Sequence, residues 1–171
     1  MNAKIFIALL ATIVLASCGG NRQDFGYNEK MASLFYSCKE KADESYRKLL
    51  DGGFDADKAD ALSYDMKLKE AQSLGTYVNT IKAEASGLAH SEMADIFHAN
   101  VIGYMSAISD RYAPLLVRYV EQQDSMTRGA ILKEIATEKN ALSAMEDKCL
   151  DSQIEFLNKA GIKVNTESAP D

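Results

Sequence analysis

Between Met31 and Ala160 the apolar residues recur at alternating steps of three and four, a period that commits the chain to helices. Met31, Phe35, Cys38, Ala42, Ser45 and Leu49 fall on one helical stripe, with Asn28 as its expected N-cap and Glu29 in the first turn. Asp51-Gly52-Gly53 ends that helix. The second stripe reads Ala61, Tyr64, Leu68, Ala71, Leu74, Val78, Ile81, Ala85 and Leu88, entered through Asp55 or Asp57 and closed by a turn over 86–90. Ser91 is the expected cap of the third, which runs Phe97, Val101, Tyr104, Ile108, Tyr112, Leu115 and Tyr119.

Pro114 falls inside the third stripe. A proline removes a backbone donor and clashes with the preceding turn, so a kink is expected near residues 110–114. The apolar period continues beyond it, which favours a kink over a break. Gln122-Gln123-Asp124-Ser125 is the last connection, and Ile131, Ile135, Leu142, Met145, Cys149, Phe156 and Ala160 form the fourth stripe. Gly161 ends the fourth helix, with Ile162 placed to close its cap. No segment alternates with the period of a strand. The expected fold is all-α, a four-helix up-down-up-down bundle of long antiparallel helices, each thirty residues spanning ~45 Å.

The N-terminus has a different organisation. Lys4 precedes an apolar block, Ile5 through Leu15, interrupted only by Thr12, and small residues follow. That order is a secretory signal, and the block is short of the ~20 apolar residues a membrane span needs. The signal ends in Leu15-Ala16-Ser17-Cys18, which resembles the lipobox of bacterial lipoproteins at all four positions. The resemblance covers only residues 1–20. It implies cleavage between Ser17 and Cys18, a diacylglyceryl thioether on Cys18 and acylation of the new terminus. Gly19, where an Asp would retain the protein, implies transport to the outer membrane if the host is enteric. The domain reading is then residues 1–17 as cleaved signal, 18–27 as flexible tether, 28–162 as bundle and 163–171 as a polar tail.

Removing residues 1–17 takes away Lys4 and moves the net charge from −6 to −7. An acidic chain without a basic block makes a poor nucleic-acid ligand, because phosphate contacts need clustered Lys and Arg. It also lacks a polybasic patch for anionic lipid heads. The expected membrane partner therefore acts through the acyl chains on Cys18, which is stable anchoring when two or three are present.

Cys38 and Cys149 remain after Cys18 is assigned to lipid. An even pair in an oxidising compartment invites a disulfide. In an antiparallel bundle Cys38, ten residues after Asn28, stands at nearly the height of Cys149, eleven before Ala160. Such a bridge would close a loop of over a hundred residues, worth ~4–5 kcal/mol in the chain-entropy model. Two buried free thiols acting as small hydrophobes are the alternative. Neither cysteine has a histidine near it in sequence, which argues against a catalytic thiol.

Other chemistry is sparse. Asp95 and His98 are three apart on a helix, half of a carboxylate-bridged metal pattern that needs a second copy and further Glu residues. His90 falls in a turn. Asp51, Asp55, Asp57 and Asp60 do not follow the order of a calcium loop. Tyr64, Tyr77, Tyr104, Tyr112 and Tyr119 suit a bundle seam, and Gly75 and Gly103 inside helices suit close helix approach. There is no phosphate-binding glycine loop, nucleophile elbow or metalloprotease motif. The expectation is a non-catalytic, cofactor-free envelope lipoprotein that binds a protein or another envelope component. A carrier with an apolar pocket near Pro114 and an enzyme built on scattered carboxylates are the alternatives.

Overall fold

The computed structural model describes residues 22–50 and 64–163. They form α1 (Arg22–Leu49), α2 (Tyr64–Ser86), a 3-10 turn (Glu92–Ala94), α3 (Asp95–Ala107), a π-helical turn (Ile108–Tyr112), α4 (Ala113–Glu121) and α5 (Ser125–Lys159). There is no strand among the described residues. The chain is an all-α bundle in which α3, the π turn and α4 make one interrupted rod.

Side-chain contacts give the direction of each neighbour. Lys30 pairs with Glu84 and Lys41 with Glu70, so α2 runs back along α1. Lys82 reaches Ser109, and Gly75 lies opposite Ala113, which sets the third rod antiparallel to α2. Asn100 donates to the Lys148 carbonyl and Arg118 to Glu134, so α5 returns along the third rod. Gln153 to Asn28 and Lys39 to Glu146 then bring α5 beside α1.

Much of the core lies on the stripes read from the sequence, joined by Leu34, Met105, Ala107, Ala113, Leu116 and Leu157, while Tyr64 of the second stripe is exposed. Met31, Phe35, Cys38, Ala42 and Ser45 of α1 are buried, as are Ala71, Leu74, Val78 and Ala85 of α2. The third rod adds Phe97, Val101, Tyr104, Ile108 and Tyr112, and α5 adds Ile131, Ile135, Leu142, Cys149 and Phe156. At the end of α5 the predicted cap forms in full. Ile162 N–H donates to the Leu157 carbonyl, Gly161 N–H donates to that of Asn158, and Gly161 takes φ +69°. Asp124 caps the start of α5 by accepting from the Thr127 N–H at 2.8 Å.

Three expectations change. First, α1 starts at Arg22, six residues before the expected cap at Asn28, and takes in Arg22 to Tyr27 of the segment read as tether. Asp24, Tyr27 and Asn28 extend the buried stripe backwards, and Asn28 accepts from Gln153 at 2.9 Å instead of capping. Second, Ser91 precedes the 3-10 turn in an extended conformation, and its backbone carbonyl accepts from Ala94 while its hydroxyl makes no capping bond. Third, the Pro114 kink takes the form of a π turn. Ala113 N–H reaches the Ile108 carbonyl five residues back, so one extra residue is wound into the turn. The buried face then steps from Tyr112 to Leu116, leaving Leu115 and Tyr119 partly buried at its margin. The caps expected at Asp55 or Asp57, the first stripe residue Ala61 and the tail after Lys163 lie outside the described residues.

Candidate functional site

The residues with the most concentrated chemistry meet where the start of α1 crosses the turn between α2 and α3. The apolar stripe of α1, carried one step back from Met31, places Tyr27 inside the bundle, where it is 5% exposed. The α2–α3 turn supplies His90, and the first turn of α3 supplies Asp95, Phe97 and His98. Phe156 of α5 closes the far side. Tyr27 meets Phe97 and Phe156 edge-on, at ring-centroid distances of 6.3 and 5.8 Å, a favourable aromatic arrangement.

The two imidazoles lie face to face, 4.1 Å between centroids and 14° from parallel. His90 Nδ1 is 3.0 Å from the Leu88 carbonyl oxygen, and its Nε2 is 3.2 Å from Asp95 Oδ1. The Leu88 carbonyl can only accept, so that contact assigns an N–H to His90 Nδ1, while Nε2 stands within ion-pair distance of Asp95. His98 Nδ1 is 3.1 Å from the Tyr27 hydroxyl. With a neutral His98 the phenol donates and Nδ1 accepts. Burial first, and then the charge of His90, hold His98 below the usual histidine range, against a pull from Asp95. Burial, with Asp95 adding to it, pushes the Tyr27 phenol well up, so it stays a donor. The sequence pairing of Asp95 with His98 is thus replaced: Asp95 holds His90, and His98 holds Tyr27.

Cys38 and Cys149 are both buried, and both are free thiols. The expected disulfide is not formed in this structure. The α1–α5 contacts are made by long side chains: Lys39 to Glu146, Gln153 to Asn28, and Lys139 over the Tyr46 ring at 3.6 Å. Burial pushes both thiols up to about 12, with Glu146 adding to the effect at Cys149.

The remaining candidates scatter. Tyr104 and Tyr112 are core residues, while Tyr64 and Tyr77 are exposed. Asp51, Asp55, Asp57 and Asp60 lie outside the described residues, as does Cys18. Among the described residues no group of three His, Cys, Asp or Glu is placed to hold a metal ion. A cleft of about 360 Å³ is lined by Leu49, Tyr64, Lys67, Tyr119, Val120, Gln122, Gln123 and Arg128, away from Pro114. Arg128 stacks its guanidinium 4.4 Å above the Tyr119 ring there.

The stripe as read from the sequence starts at Met31 and leaves Tyr27 outside it. The available signal was its position four residues before Met31, in phase with the stripe. Lys82, Ser109 and Asp110 were missed as well. Lys82 Nζ donates to Ser109 Oγ at 3.1 Å, and that hydroxyl donates to Asp110 at 2.6 Å, so α2 grips the π turn. Comparison with protein-family models, curated proteins and solved structures returns no match for this chain.

Proposed function

We propose that the protein is an acylated lipoprotein of a bacterial cell envelope, held by Cys18, whose helical bundle is a non-catalytic module for binding an envelope protein or component. The observation that carries the anchor is Leu15-Ala16-Ser17-Cys18 at the end of a secretory signal. The start of α1 at Arg22 supports it in a specific way. Cys18 and Arg22 are four residues apart, which reach at most ~14 Å. An acylated Cys18 would therefore hold the Tyr27 end of the bundle close to the bilayer instead of on a long leash. Among the described residues no helix is long and apolar enough to cross a membrane.

The non-catalytic half is supported by how the carboxylates are used. Glu70 is taken by Lys41, Lys48 and Ser45, and Glu146 by Lys39 and Tyr104. The cleft beside Tyr119 suits an apolar carrier less well, because Lys67, Gln122, Gln123 and Arg128 line it.

The test is expression in a bacterium with lipoprotein processing, of the wild type beside Cys18→Ser. Acylation predicts that the wild type enters the detergent phase, with an N-terminal peptide heavier by its acyl groups, and that Cys18→Ser stays aqueous. A wild type in the aqueous phase with unmodified Cys18 rejects the anchor. Cross-linking of the acylated protein in its own envelope then tests the binding half: a specific adduct supports it, and none across several chemistries counts against it.

A further inference from the structure

Two stacked imidazoles bridging the start of α1 to the α2–α3 turn form an arrangement that resists two positive charges. His90 lies between the Leu88 carbonyl and Asp95. His98, 4.1 Å away, faces the His90 ring on one side and needs a bare Nδ1 to accept from Tyr27. The groups around the pair come from every packed element. α1 brings the Tyr27 phenol, and one turn before it on the same stripe lies the buried Asp24. α3 brings Asp95, the end of α2 brings the Leu88 carbonyl, and α5 brings the uncharged Phe156 ring against Tyr27.

We propose that the His90–His98 pair is an acid-sensitive latch: uptake of a proton on His98 frees the first two turns of α1 from the α2–α3 turn. A proton on Nδ1 removes the acceptor for Tyr27, and the charge it brings sits partly buried against the His90 ring, which opposes it. Both effects favour the open state, where the rings separate into water. The latch depends only on these side chains, not on Cys18.

The direction follows from linkage. His98 is held below its ordinary value in the closed state, so the open state binds more protons and gains as pH falls. The response begins near the ordinary histidine value of about 6.5 and runs down to the depressed one. Histidine is the side chain whose charge changes in this range, which makes the latch a sensor of mild acid.

Hydrogen exchange of the mature chain at pH 7.5, 6.5 and 5.5, corrected for intrinsic chemistry, tests this. Protection over Arg22–Met31 should fall by up to about tenfold per pH unit below about 6.5, while protection over Ile131–Leu142 holds. His98→Gln keeps an acceptor for Tyr27 but cannot titrate, and its N-terminal protection should ignore pH. A first segment that tracks the control in the wild type, or a His98→Gln chain that still responds, overturns the latch. Should His98→Gln fail to fold, the wild-type ring resonances decide. A His98 midpoint below that of a free histidine agrees with the proposal, and one at or above it does not.

Discussion

Gly75 of α2 stands against Ala113 of α4 so closely that a Cβ added to the glycine would lie 3.6 Å from the alanine Cβ. That is ordinary van der Waals contact, so there is room for one methyl group and no more. Glycine costs a helix interior about 1 kcal/mol relative to alanine. Gly75→Ala should therefore raise stability by about 0.5–1 kcal/mol, measured as a higher urea midpoint with unchanged slope. Gly75→Leu should lower it, because a larger side chain must push α4 away just where the π turn delivers it. A destabilised Gly75→Ala chain would mean that the two helices are closer than this contact.

Tyr104 is almost fully buried and donates to Glu146 at 2.9 Å, and Lys39 approaches the other carboxylate oxygen at 3.2 Å. The phenol is pushed well up, first by burial and then by the charge of Glu146, so it is a permanent donor. Tyr104→Phe loses one hydrogen bond to a charged acceptor and leaves no cavity, at a cost of about 1–2 kcal/mol. Glu146→Ala costs more, about 2–3 kcal/mol, because the buried hydroxyl is left without an acceptor. The double variant should fall short of the sum by about 1 kcal/mol in denaturant titration. Strict additivity would show that the bond does not form in solution.

Glu70 sits between the helices that α1 and α2 turn toward each other, accepting from Lys41 at 2.9 Å and from the buried Ser45 hydroxyl at 3.2 Å. Burial alone would raise its carboxyl. The hydrogen bond and charge of Lys41, the charge of Lys48 and the Ser45 bond outweigh burial and hold it below the usual carboxylate range. A carboxyl depressed in the folded state binds fewer protons there than when unfolded. Its contribution is thus complete above the unfolded value of about 4.3 and is lost as pH falls through the depressed one. Glu70→Gln should cost about 1 kcal/mol at pH 7, softened because Glu44 remains beside both lysines. At pH 2 the variant and the wild type should melt together. An equal gap at both pH values would place the effect in packing instead of charge.

The core was legible because burial follows the helical period. Met31, Phe35, Cys38 and Ala42 could be read as one face without knowing what they touch, and the same holds for Ile131, Ile135 and Cys149. The start of α1 was not legible. Gly26 and the polar residues around it have the composition of a tether, and Tyr27 is drawn into the helix by rings sixty and more residues away in sequence. Gly26 itself has open space around it, so it marks no turn. Pro114 announced a disturbance but not its kind. Whether a helix kinks or winds in an extra residue depends on what holds the loosened turn, and here Lys82 of α2 does so from outside the segment. The histidines were visible, but their pairing was not: local spacing joins Asp95 to His98, whereas the α2–α3 turn brings His90 back to Asp95.

The thiols give the most direct check on how α1 and α5 meet. Cys38 and Cys149 are free, and burial pushes both up to about 12, so at pH 8 almost none of either is thiolate. The native Cys18→Ser chain, in which these two alone remain, should react with an alkylating reagent no faster than it opens. In denaturant and without reductant it should show both thiols at once. Lengthened contact with oxidant should leave that count unchanged. A count of zero under the same conditions would mean that α1 and α5 can close to disulfide distance, and that the Lys39–Glu146 and Tyr46–Lys139 contacts give way when they do.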